Sequence, residues 1–368
     1  MRIAYITSGV INEQARVNYF AKKGHEVHLI CREVMAGYDK SICIHLLTRF
    51  PVYGLTTSRH LSFPFWILQT RKLIREIKPD IIDSYYATVY GFLAACSGFY
   101  PLIVTALGSD ILIDAKQNLL LRMLTRYALK RAAIVICNSE TIRGGILQLQ
   151  IAAGKIRLIY NGIDTAQFSS KARDGKIDDK LDNARSPVII SIRYLKPIYN
   201  VEMLIRAIPV VLKQFPNAKF QIGGDGEQKE YLECLANSLG ISNAVTFIGY
   251  IPHDRIAKYL MLSDIYISTS NSDGTSFSLQ EAMSCALAPI VTDLPANREW
   301  ITDGENGFLI TTNDIQALAG RIIYLLKNDE VRREFGRLSR DIVKTRAKFK
   351  TEMKRLAVIY EKLVRSNH

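Results

Sequence analysis

Short, wholly apolar runs alternate along this chain with longer stretches in which apolar residues recur every three or four positions. The short runs read as strands buried on both faces, and the longer stretches read as amphipathic helices that cover them. A first set of strands falls at residues 3–7, 27–30, 81–83, 102–105, 134–137 and 156–159. A second set falls at 188–192, 220–223, 245–248, 265–268, 290–292 and 308–310. Strand–helix alternation of this kind predicts α/β architecture, with two doubly wound parallel sheets facing a cleft. The expected domains are 1–168 and 187–345, joined by a polar, charged linker at 169–186 that has no apolar periodicity. From 346 to 368 the spacing of Met353, Leu356, Ile359, Tyr360 and Leu363 predicts a final amphipathic helix.

Composition agrees with two cores. The chain has 368 residues, 48% of them hydrophobic and 23% charged, which suits a globular protein larger than one typical domain. No apolar run reaches the roughly 18 residues of a membrane span, and the opening residues Met1 to Thr7 read as a buried strand instead of a signal peptide. A cytoplasmic protein is therefore expected. Cys31, Cys43, Cys96, Cys137, Cys234 and Cys285 form no Cys-x-x-Cys pair, so they read as reduced core residues and not as zinc ligands.

Charge adds a second theme. The net charge is +13, and residues 1–185 hold 25 basic against 15 acidic residues, so most of the excess lies in the first half. Such a surface can serve nucleic acid, an anionic membrane or a phosphorylated substrate. No nucleic-acid module is recognisable, which leaves anionic lipid or a lipid-phosphate-linked glycan, with peripheral contact on a membrane. Basic and aromatic residues crowd 48–78, among them Arg49, Phe50, Arg59, His60, Trp66 and Arg71, with Pro64 in the first turn of a helix. That segment is either a core-facing helix with a solvated basic face or a membrane-surface or acceptor-entry element.

The most informative stretch is 268–293, a strand, a turn, a helix and a second strand. In the turn, Asp273, Gly274, Thr275 and Ser276 precede the amphipathic run that starts at Phe277. Free amides at such a helix start, with the positive end of its dipole, form a site for an anion such as a diphosphate. Glu281 follows one turn after Phe277. Two carboxylates beside an anion site make sense if they accept hydrogen bonds from hydroxyls, as in a vicinal diol.

This segment resembles the donor-nucleotide motif of retaining glycosyltransferases of family 4, a family of GT-B fold. The motif has two acids separated by seven residues, then Ala-Met and a Pro-hydrophobic strand, matched here by Asp273, Glu281-Ala282-Met283 and Pro289-Ile290-Val291. The resemblance implies that Glu281 binds the donor ribose and Asp273 the hydroxyls of the donor sugar. Asp273 stands where the family usually has Glu and is shorter by about 1.5 Å. Ser191 to Lys196 is similar to the family's Gly-Arg-Leu segment, which implies that Arg193 grips the diphosphate, as a guanidinium can do bidentately. The family's following Lys-Gly is replaced by Tyr199-Asn200, and Lys196 is the alternative cation.

Other landmarks resemble the family across the whole chain. Gly9 takes the place of a glycine that faces the donor phosphates, and Gly224, in Gly223-Gly224-Asp225-Gly226, shapes the donor cleft. Tyr250 and Ile251 fall where backbone groups meet the nucleobase, and His253 reads as a cap for the next helix. Leu107-Gly108-Ser109-Asp110 matches a His-Gly-x-Asp turn without its histidine. Gly108 and Asp110 fall on the acceptor or sugar side, and Asp110 either caps the following helix or faces the acceptor. Asn161-Gly162 reads as a turn leading to the linker. In the GT-B fold the last helix crosses back onto the first, Rossmann-like domain.

The implied reaction is transfer of a sugar, with retention, from a nucleoside diphosphate sugar to an acceptor hydroxyl in cell-surface glycan or glycolipid assembly. UDP is the expected nucleotide, no metal or other cofactor is expected, and the partners are the donor and a glycan or lipid-linked acceptor. A nucleotide-sugar isomerase or epimerase of the same fold is the nearest alternative. A glycoside hydrolase pairing Asp273 with Glu281 and a non-enzymatic basic scaffold are further ones.

Overall fold

Strand positions follow the apolar runs closely. In the computed structural model, which describes residues 1–9, 11–48, 63–170 and 186–367, the chain divides into two compact units. One is Met1–Tyr160 with Glu352–His368, and the other is Asn161–Thr351. Arg49, Phe50, Arg59 and His60, and most of the expected linker, lie outside the described residues.

The first unit runs β1 (Arg2–Ile6), α1 (Ile11–Lys22), β2 (Glu26–Cys31), β3 (Cys43–Leu46), α2 (Phe63–Ile77) and β4 (Ile81–Tyr85). It continues through α3 (Phe92–Cys96), β5 (Leu102–Thr105), α4 (Ala115–Gln117), α5 (Leu119–Arg131), β6 (Ile134–Cys137), α6 (Glu140–Gln148) and β7 (Ile156–Leu158). Its parallel sheet has the order β3-β2-β1-β4-β5-β6-β7. Strands β1 and β4 are buried almost throughout because both faces are covered, which is why Ile3, Tyr5, Ile81 and Ile82 need no polar alternation. The edge strand β3 was not expected, and it is mostly exposed.

The second unit runs β8 (Val188–Ile192), α7 (Val201–Leu212), β9 (Lys219–Gly223), α8 (Lys229–Ser238), β10 (Val245–Gly249), α9 (His253–Met261) and β11 (Ile265–Ser268). Then follow α10 (Phe277–Ser284), β12 (Ala288–Thr292), α11 (Pro295–Arg298), β13 (Phe308–Ile310), α12 (Ile315–Lys327) and α13 (Asp329–Arg346). The parallel order is β10-β9-β8-β11-β12-β13. Both units are doubly wound, as expected.

The last helix, α14 (Phe349–Arg365), starts in the second unit and finishes in the first, where Met353, Leu356 and Tyr360 are fully buried. Polar contacts fix it there. Tyr360 donates its hydroxyl to Asp83 on β4 and stacks on Phe20 at 4.9 Å. Asp83 also accepts from Thr105 Oγ1 at 3.0 Å and pairs with Arg16 at 3.5 Å, in a wholly buried cluster. Burial pushes the Asp83 carboxyl up, against the pull of Arg16. Tyr360→Phe is expected to cost about 2 kcal/mol, since it removes a donor from a buried charged acceptor. Urea unfolding should show it as a lower midpoint at unchanged slope.

Three cysteines correct the composition reading. Cys31, Cys137 and Cys285 are buried, but Cys43 and Cys234 are exposed and Cys96 is half-buried; none of the six forms a disulfide. Asn161-Gly162 is the close approach of two chain segments: a Cβ on Gly162, whose φ is +79°, would lie 2.7 Å from Phe349 Cα. Beside it, Ile163 N donates to Ala347 O and Phe349 N donates to Ile163 O.

Candidate functional site

The N-terminal end of α10 gathers the groups singled out in the second unit. Ser276 caps the helix, its hydroxyl accepting from Leu279 N at 3.3 Å, while Ser278 to Ser284 are buried. Arg193, just past β8, sends NH1 to Ser276 Oγ at 2.7 Å and NH2 to Asp273, with which it forms a close ion pair. The two side chains are only 9% and 11% exposed. Tyr266 on β11 bonds Ser278 Oγ at 2.7 Å, and Ser278 lies 3.4 Å from Ser276 Oγ, so hydroxyls line the guanidinium on one side. On the other, the Tyr199 ring lies 4.4 Å from its central carbon. The Arg193 Nε is buried and has no hydrogen-bond partner among the described residues.

Glycine supplies the geometry behind Arg193. Gly224 has φ +128°, and a Cβ there would sit 1.9 Å from Arg193 O, so this loop can lie against the Arg193 backbone only as glycine. Arg193 N donates to Gly223 O at 3.0 Å and Leu195 N to Asp225 O at 2.9 Å, which ties the two segments together. Tyr199-Asn200 also becomes intelligible. Asn200 adopts φ +46°, the left-handed conformation that a glycine would take, while Tyr199 stacks on the arginine instead of adding a second cation. Lys196 is exposed, and no described residue pairs with its ammonium.

Glu281 lies on the buried part of α10, with its side chain 4% exposed. His253 Nε2 meets its Oε1 at 2.8 Å, and Phe168 packs beside the imidazole at 5.6 Å. This corrects the reading of His253 as a cap: it is the first residue of α9, makes no capping bond, and turns to the carboxylate 28 residues further on. Burial pushes the Glu281 carboxyl up, and the hydrogen bond to that carboxylate, more than the cost of burial, raises His253 above its ordinary value. A histidine with a raised folded pKa contributes stability below about pH 6.5, and that contribution is lost as pH rises through the raised value. The Tm difference between the wild-type chain and His253→Ala should therefore shrink as the pH rises above about 6.5. A difference that stays constant over that range would mean that the imidazole acts in its neutral form.

The remaining candidates are placed less directly. Tyr250 is exposed, whereas Ile251 is buried and packs toward Gly223. Thr275 Oγ1 donates to Gly274 O at 2.7 Å, inside the turn before Phe277. In the first unit Gly9 has φ +86°, and a Cβ would lie 1.7 Å from Glu33 O, so packing alone demands glycine. Asp110 is fully buried and accepts from Ala87 N and Gly108 N, each at 2.8 Å, and from Leu107 N and Ile111 N. Burial still lifts its carboxyl to about 6. The carboxylate is held by backbone amides on both sides of its own turn and at Ala87.

Sequence models of two families match the chain: Glycosyltransferase Family 4 over residues 16–167 and Glycosyl transferases group 1 over 173–341. The chain belongs to this group of GT-B glycosyltransferases. It is 24% identical over 375 residues to N-acetyl-alpha-D-glucosaminyl L-malate synthase of Bacillus anthracis, covering 98% of this chain and 95% of that protein. A Campylobacter jejuni N-acetylgalactosamine-N,N'-diacetylbacillosaminyl-diphospho-undecaprenol 4-alpha-N-acetylgalactosaminyltransferase is 25% identical, over 88% of this chain and 87% of its own. Four other curated relatives match over less, the chain spanning 36% to 60% of their lengths. The solved structure of HepE from Anabaena in complex with UDP shares the fold, with a TM-score of 0.81 at 21% identity over 99% of this chain and all of that one.

Proposed function

We propose that the protein transfers a sugar, with retention and without a metal, from a UDP-linked donor to an acceptor hydroxyl in glycan or glycolipid assembly. The observation that carries this reading is the guanidinium of Arg193 held at the start of α10, with the buried carboxylate of Glu281 further along the same helix. The UDP named with HepE and the lipid-diphosphate acceptor named for the Campylobacter relative support the choice of partners.

In the reaction the bond from the anomeric carbon to the donor phosphate oxygen breaks, and a bond to the acceptor oxygen forms on the same face of the sugar. Negative charge grows on the leaving diphosphate. Arg193 and the amides at Ser276 and Phe277 stabilise that charge in the transition state. Its unpartnered Nε and the α10 dipole add to the attraction. The acceptor proton passes to a donor phosphate oxygen, so no side-chain base is needed. Glu281, oriented by His253, accepts from the ribose diol. Each acid has its own basic partner, Asp273 with Arg193 and Glu281 with His253, which separates their roles.

The test is turnover of UDP- and GDP-linked sugars by chelator-treated protein, with the anomeric configuration of the product read by NMR. Retained activity with one UDP-sugar and a retained anomer is the expected result. Loss of activity on chelation, restored by a divalent ion, would overturn the metal-free step, and an inverted product would overturn retention.

A further inference from the structure

Helix α5 carries a row of large apolar side chains on the side that faces away from the core. Leu119 is 72% exposed, Leu120 63%, Met123 60% and Tyr127 45%. The inward face is made by Thr125, Ala128 and Leu129, all buried. Packing therefore does not account for Leu119, Leu120 and Met123 in the outer row. At 100° per residue the four side chains form one stripe, with Arg122 and Arg126 along one margin and Arg131 along the other. Lys130 continues the stripe at its C-terminal end. Residues 115–131 hold five basic residues and no acidic one. The preceding acid, Asp114, accepts a hydrogen bond from Tyr86 Oη at 2.7 Å.

We propose that this face of α5 docks on the surface of an anionic lipid bilayer. Apolar side chains flanked by arginine and lysine suit the boundary between headgroups and acyl chains, where the apolar row is buried and the basic margins meet lipid phosphates. The helix is 13 residues long, about 20 Å, so it lies in the plane of the surface and does not cross it. The same is true of the whole described chain, in which no helix is long and apolar enough to span a membrane. The face is also preformed. Tyr127 packs on Phe92 at 5.6 Å, Phe92 on Phe63 of α2 at 5.8 Å, and Thr125 Oγ1 bonds Thr88 Oγ1 at 2.9 Å, so little ordering is needed on docking. A second copy of the chain is a poor occupant, because a two-fold contact would press the basic margins together.

By contrast, α2, the described part of the basic and aromatic segment, turns Trp66, Thr70, Ile74 and Ile77 into the core. Its apolar stripe is already occupied. The proposal stands apart from the donor chemistry, since no residue of the α5 face belongs to the Arg193–Glu281 site.

The test uses the full chain in co-sedimentation with vesicles of phosphatidylcholine alone and of phosphatidylcholine with phosphatidylglycerol. Binding to the anionic vesicles, weakened by salt and slight on the neutral ones, is expected. Leu120→Glu with Met123→Glu should lower vesicle affinity about tenfold or more and leave Tm unchanged, because both side chains are exposed. Arg122→Glu with Lys130→Glu should lose binding to the anionic vesicles by a similar factor. Failure of the wild-type chain to bind anionic vesicles, or equal binding by the Leu120/Met123 variant, would overturn the proposal. So would a wild-type dimer in sedimentation velocity that this variant converts to monomer, which would make the face a contact between copies.

Discussion

Arg193→Ala lowers turnover by about a hundred- to a thousandfold, the loss expected when one preorganised donor to a developing negative charge is removed. The same change should also destabilise the second unit. Asp273 would keep its nearly buried place without a cation, and breaking such a pair costs about 3–5 kcal/mol. A drop in activity alone would therefore be ambiguous. The double variant Arg193→Ala/Asp273→Ala, read against Asp273→Ala alone, resolves it, because no charge is stranded when both partners go. Its Tm should return toward that of the wild type, while its turnover stays as low as that of Arg193→Ala or lower. If turnover recovers along with Tm, Arg193 is a structural residue, and diphosphate stabilisation must be sought elsewhere, with exposed Lys196 the first place to look.

Glu281→Gln separates binding from stability in the opposite sense. The amide keeps the shape of the side chain but loses the charge that His253 and a diol would both hydrogen-bond. A hydrogen bond to a charged group is worth about 1.5–3 kcal/mol, so UDP affinity should fall by about ten- to a hundredfold. Stability in the absence of nucleotide should hold or rise, because burial already raises the Glu281 carboxyl and marks the charge as held at a cost. Calorimetric titration with UDP and thermal unfolding without it give the two readouts. Unchanged UDP affinity would remove Glu281 from the ribose.

The strands were legible because they are short, apolar and buried on both faces, so each announces itself without reference to its neighbours. Strand β3 was not, since Cys43 to Leu46 is largely exposed at a sheet edge and His45 interrupts its apolar residues. The start of α10 was legible as well, as Ser276 and Phe277 stand where capping chemistry requires. The partner of Glu281 was not. His253 lies 28 residues away, and only the packing of α9 beside α10 brings the imidazole to the carboxylate. Tyr199 was hidden for a related reason: a tyrosine in place of a lysine reads as a loss until the ring is seen against Arg193. Asp110 shows the limit from the other side, where a motif acid turned out to serve backbone amides. The outer row of α5 could not be read from spacing, because periodicity reports that a stripe exists and not which way it faces.

The route of α14 bears on how the protein is made. The first unit is assembled from Met1–Tyr160 and from residues beyond Thr351, so the whole second unit is synthesised between its two parts. Until Leu356 and Tyr360 leave the ribosome, Phe20 lacks its stacking partner and Asp83 lacks its hydroxyl donor. The second unit is contiguous in sequence and can fold as it emerges, whereas the first must wait, with an apolar groove open, for a segment made after it. Chains released after truncation before residue 352 would thus carry a folded second unit and an incomplete first one, a species for chaperones to hold and for proteases to find.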